Sequence, residues 1–189
     1  MTVTFTVASG SQITLRAKLS LITENSAFYA NLVSRIEHLR SATGHTIELL
    51  SSEGDDLGYN CVAYAFDLDK KPEYRKLAGQ WNRDDAPADP EFIQHMIDCK
   101  EMAEQKDWSV GLLCVYFQEQ TIKHIGLFVS DSRLRSKWGP GFLYEHSALE
   151  VPQEYGNCVR AFSVPDQAAT LERFVAFANA KKLRTLGAQ

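Results

Sequence analysis

No stretch of this chain approaches the ~20 consecutive apolar residues of a membrane-spanning helix. Neither sign of charge is in large excess: 20 Lys and Arg stand against 24 Asp and Glu, a net of −4. Neutralising phosphates takes clustered cations, so a dedicated nucleic-acid binder is excluded. The four cysteines, Cys61, Cys99, Cys114 and Cys158, form no CxxC pair and no ligand-like spacing with the five histidines. That argues against a structural zinc site, a disulfide framework and any metal or other cofactor. Repeats and low-complexity segments are also missing. Met1 to Ala8 lacks a basic region followed by an apolar one, so synthesis and retention in the cytoplasm is the expectation, with injection or export without a cleaved signal as the alternative. What remains is ordinary globular composition, 44% hydrophobic and 23% charged over 189 residues. That length suits one domain with a small lobe attached, needing no staples.

Thr2–Val7 and Gln12–Ser20 read as a hairpin about the turn Ser9-Gly10-Ser11. A helix follows from about Asn25 to Ser41, with Phe28, Leu32, Ile36 and Leu39 as its apolar stripe. His45–Leu50 reads as a short strand. These pieces make an N-terminal lobe, residues 1–50, packed on a main domain of residues 51–189. Ser51–Gly58 is a polar loop leading into Tyr59-Asn60-Cys61, and Cys61 falls at a helix N-terminus. Asp69–Pro90 reads mostly as loop. The next helix has Asp89 as N-cap and Pro90 at its first position. Val110–Phe117 and Ile122–Ser130 predict a β-hairpin whose first strand is buried on both faces. Ser132–Gly141 is a basic loop. Phe142–Leu149 and Cys158–Val164 predict two more strands, and Ala168–Lys182 a closing helix. Helices followed by an antiparallel sheet give the class α+β.

One constellation carries chemistry. A cysteine at a helix N-terminus has its thiolate favoured by unpaired N–H groups and the macrodipole. A histidine within reach takes the thiol proton and returns it to a leaving group, and a third polar residue holds the imidazole in one tautomer. Tyr59-Asn60-Cys61-Val62-Ala63-Tyr64-Ala65, then His124-Ile125-Gly126-Leu127-Phe128-Val129, then a polar residue one strand later, resembles the papain-like NlpC and CHAP peptidoglycan hydrolases. The separations are 63 residues from Cys61 to His124 and 22 from His124 to His146. The resemblance runs from about Gly58 to Val164, and Asn60 stands where aspartate often precedes the cysteine.

The resemblance implies a papain-like fold in which Cys61 is the nucleophile, His124 the base and acid, and His146 the orienting residue. Glu145 is the other candidate for the third role, because only one of two successive strand residues can face His124. The Cys61 N–H, the Tyr59 hydroxyl and Asn60 are candidate oxyanion contributors. The function implied is a cysteine-dependent amide hydrolase working through a thioester, with cell-wall peptides as substrate. A deamidase or transglutaminase-like effector acting on a host protein and an inactive papain-like binding module are the alternatives. The partner is a peptide or protein in each case, with no nucleic acid and no membrane.

Plainer readings stand beside these. A cysteine before an apolar run is commonly core, and Cys114 and Cys158 are expected to be inert packing thiols. Cys99 and His95, four apart on one helix, share a face without further ligands. His38 and His45 read as surface residues. The basic loop Ser132–Gly141 reads either as solvated or as a substrate flap using Lys137 as cation and Trp138 as stacking wall. Acidic Glu53–Asp56 would line the other side.

Overall fold

The computed structural model describes residues 10–23, 29–50, 59–81, 86–138 and 141–187. Its centre is a seven-stranded, fully antiparallel sheet: β1 (Glu48–Leu49), β2 (Glu104–Gln105), β3 (Leu113–Gln118), β4 (Thr121–Phe128), β5 (Arg133–Lys137), β6 (Leu143–Ser147) and β7 (Cys158–Phe162). The order across the sheet is β1-β6-β5-β4-β3-β7-β2. The α+β class is therefore as expected.

Both faces are covered. On the first face lie α3 (Cys61–Ala65), α5 (Pro90–Asp98) and α6 (Gln167–Gly187), with α4 (Pro72–Ala78) against α6. Leu113, Val115, Phe117, Ile122, Ile125 and Phe162 meet Val62, Phe92, Met96 and Phe174 there. On the second face lie α1 (Gly10–Thr23) and α2 (Tyr29–Thr43), where Leu15, Leu19, Leu32 and Ile36 meet Cys114, Tyr116, Phe128, Leu134 and Tyr144. Alternation along β3 divides the two cores: odd residues face one, even residues the other. Burial on both faces explains the nearly continuous apolar run in β3.

Three local expectations are corrected. Gln12–Ser20 is not a strand but part of α1. Leu15, Leu19 and Ile22, spaced four and three apart, form the buried helical stripe that decides it. Thr2–Val7, the Asn25 helix start and the acidic loop Glu53–Asp56 lie outside the described residues. The stretch Asp69–Pro90 contains α4, opened by Pro72, whose missing N–H costs nothing at a helix start. The basic loop Ser132–Gly141 contains β5, paired with β4 and β6. Its alternation of Arg133, Arg135 and Lys137 with Leu134, Ser136 and Trp138 places the second set in the core.

The β3–β4 pairing shifts register between Tyr116 and Phe117: Tyr116 faces His124, while Phe117 faces Ile122, leaving Lys123 as a bulge. The bulge returns Ile122 to the same face as Ile125. Gly126 permits close approach of β5, since a Cβ there would lie 2.7 Å from the Arg135 carbonyl oxygen. His45 is buried, not on the surface. Its Nε2 lies 2.8 Å from the Ile36 carbonyl oxygen and its Nδ1 accepts from the Ile47 N–H. That ring ties the middle of α2 to the residue before β1.

Candidate functional site

Cys61 stands at the first position of α3, as expected. Asn60 makes the helix start: its Oδ1 accepts from the N–H of Val62 and of Ala63, each at 3.1 Å, and its Nδ2 donates to the Ala88 carbonyl at 2.6 Å. Both ends of that amide serve the cap and its tether. The half-buried Cys61 packs into the first-face core beside Tyr59 and Leu127.

Burial pushes the Cys61 thiol up to about 11, against a smaller opposing effect of the N–H groups of Ile125, Val62 and Cys61 itself. The expectation of a depressed thiol is therefore corrected. The helix end is short, and three N–H groups do not offset desolvation of a thiolate. At pH 7 the thiolate fraction is on the order of one in ten thousand.

His124 does not share the Cys61 face. Its neighbours Ile125 and Leu127 point into the first core, so His124, Gly126 and Phe128 point into the second. There its ring stacks on Tyr155 at 4.0 Å and lies 5.5 Å from the Tyr116 ring. Its buried Nε2 has no hydrogen-bond partner among the described residues. Burial, reinforced by the His146 ring, pushes His124 well below the ordinary imidazole value.

His146 also lies on the second face, fully buried. Its Nδ1 is 2.9 Å from the Ser147 carbonyl oxygen and its Nε2 is 2.7 Å from Ser136 Oγ. The carbonyl only accepts, so Nδ1 carries the proton. Nε2 then accepts from the Ser136 hydroxyl, whose oxygen accepts from the Trp138 indole N–H at 3.1 Å. This chain needs a neutral imidazole, and burial lowers His146 to about 4. The resemblance assigns no role to Ser136 or Tyr155. The even-numbered parity of Leu134, Ser136 and Trp138 was the available signal for Ser136.

The remaining expected site residues divide between the two faces. Glu145 points away from His146, where Arg135 at 2.9 Å and Arg133 at 3.3 Å hold its carboxyl below the usual carboxylate range. Lys137 and Trp138 are 1% and 2% exposed, so neither forms an open flap. The Lys137 ammonium donates to the Gly141 carbonyl and sits 4.0 Å above the Tyr59 ring, a cation–π contact. Trp138 packs on Tyr144 with ring centres 4.4 Å apart. Cys114 is fully buried, whereas Cys158 and Cys99 are half-buried.

The structure therefore gathers Cys61, Tyr59 and Lys137 on one side of the sheet and His124, His146, Ser136 and Trp138 on the other. The Cys61 thiol therefore has neither His124 nor His146, the two expected partners, on its own face. Among the described residues, no three of His, Cys, Asp and Glu converge to hold a metal, and no helix is long and apolar enough to cross a membrane.

No curated protein and no solved structure matches the chain. A family model does match, over residues 49–163, which takes in β2 through β7 and both groups of candidate residues. The chain belongs to the DUF7689 family, a domain of unknown function.

Proposed function

We propose that this chain is a binding domain on a papain-like frame, in which Cys61 packs rather than attacks. The observation that carries the reading is the sheet standing between the thiol and both histidines. Proton transfer needs a heavy-atom approach of about 2.6–3.2 Å or one bridging water. A change of side-chain rotamer does not carry an imidazole through a hydrogen-bonded sheet. The Ser136–His146 pair has the contacts of a nucleophile and base, but both are buried within the core. Its polar groups satisfy one another, and such networks specify a packing arrangement.

A second reading has its own support. Cys61 is the first residue of a capped helix, with the Ile125 N–H acting on its sulfur. That placement suits a cysteine-dependent amide hydrolase, with cell-wall peptides or a side-chain amide of a host protein as substrate. Such an enzyme would need a base other than His124 or His146 in this arrangement.

The test is direct. The full chain at high concentration is incubated with purified muropeptides and, separately, with glutamine-bearing proteins, and release of new amines or ammonia is followed. The binding-domain reading expects none above buffer. Release by the wild type that disappears in Cys61→Ala would overturn it in favour of the hydrolase.

A further inference from the structure

α1 and α2 pack side by side and leave an open groove of about 530 Å³. Each helix contributes residues at i, i+3 and i+4: Lys18, Leu21 and Ile22 from α1, and Arg35, His38 and Leu39 from α2. That spacing puts each set on one helix face. The floor is apolar, and Leu21 at its edge is 66% exposed.

The rim is basic. Lys18 and Arg35 carry fixed cations, His38 adds a third nitrogen base, and among the described residues no acidic one lines the groove. None of the three has an ion-pair or hydrogen-bond partner among the described residues. Several cations elsewhere are engaged: Arg133 and Arg135 on Glu145, Arg160 on Glu104, Arg173 on Glu101, Lys181 on Asp89. The nearby acids are occupied too, Glu37 by Arg40 and Glu154 by Ser20 and Thr23. On a chain of net −4, a groove with unpaired cations and exposed apolar surface is a local inversion of character.

We propose that this groove docks an amphipathic helix of a partner protein, its apolar ridge flanked by acidic side chains. An apolar floor between two helices takes the ridge of a third. The unpaired rim cations select carboxylates through charge complementarity and speed encounter. The inference goes beyond the binding-domain reading and depends on the groove alone. It stands or falls independently of how Cys61 behaves.

The probe is a labelled synthetic helix of about five turns with leucines at i, i+3 and i+4 and flanking glutamates, long enough to hold helical structure. Titrated into the isotope-labelled full chain, it is expected to saturate and to shift amide signals confined to Lys18–Thr23 and Ser34–Leu39. Affinity should fall by about tenfold or more with added salt, and by as much again in the double variant Lys18→Glu/Arg35→Glu. Leu21→Asp, at an exposed position that leaves the core intact, should weaken binding with an unchanged melting temperature. A probe with lysine in place of glutamate should not bind. No saturable binding, equal binding of the two probes, or shifts outside α1 and α2 would overturn the proposal. Binding of anionic phosphatidylglycerol vesicles in place of the peptide would also overturn it and assign the groove to a lipid surface.

Discussion

Acid should weaken this fold well before its carboxylates titrate fully. His146 is held neutral at about 4 in the folded chain and takes up its proton near 6.5 when unfolded. His124 is displaced in the same direction. Both folded values lie below the unfolded one, so the folded state binds fewer protons in this range. The contribution is fully present above pH ~6.5 and is lost as pH falls toward 4. For His146 alone the loss amounts to about 3 kcal/mol across that window, at most about 1.4 kcal/mol per pH unit. Urea unfolding at half-unit steps from pH 7 to 4.5 measures it, and carboxylate effects cancel between wild type and His146→Gln. The variant is expected to show a shallower fall between pH 6 and 5, by up to about 1.4 kcal/mol per unit. In the wild type, the His146 ring proton signals should not titrate above pH 5. Identical slopes in the two proteins, or a ring titrating near 6.5, would refute the buried, neutral Ser136–His146 network.

Three further outcomes follow from particular contacts. Gly126→Ala places a Cβ 2.7 Å from a carbonyl oxygen and 2.9 Å from the Ser136 Cβ, and should cost about 1–3 kcal/mol, seen as a lower urea midpoint at constant slope. Asn60→Ala removes the double cap of α3 and should cost about 1–2 kcal/mol, with Asn60→Asp recovering the cap but not the bond to the Ala88 carbonyl. Ser136→Ala leaves the Trp138 indole N–H and His146 Nε2 without their shared hydroxyl, costing about 1–3 kcal/mol by thermal unfolding. It should also raise the His146 titration, since the lost bond favoured the neutral ring.

Much of this was legible in the residues. The helix start at Cys61, the Asp89-Pro90 helix start, the β3–β4 pair and the closing helix follow from local chemistry that tertiary contacts do not override. The Gln12–Ser20 strand failed because Gln12, Thr14, Arg16, Lys18 and Ser20 alternate with apolar residues, while Leu15, Leu19 and Ile22 keep helical spacing. β5 was hidden by its arginines and lysine, which read as solvated although they occupy one side of a two-sided strand. The parity of His124 with Gly126 and Phe128 was in the sequence throughout. Which of the two faces α3 covers was not, because that depends on how the chain crosses the sheet, and no local pattern reports it. A short motif places residues on elements, whereas a catalytic pair requires two elements on one face.

The most direct test of the account is the pH dependence of iodoacetamide labelling at Cys61, resolved from Cys99, Cys114 and Cys158 by peptide mapping. The expected midpoint is near 11 and, at pH 7–8, labelling is slower than for the same cysteine in the urea-unfolded chain. A midpoint well below the ~8.5 of a free thiol, with Cys61 the fastest of the four, would contradict it and restore the nucleophile.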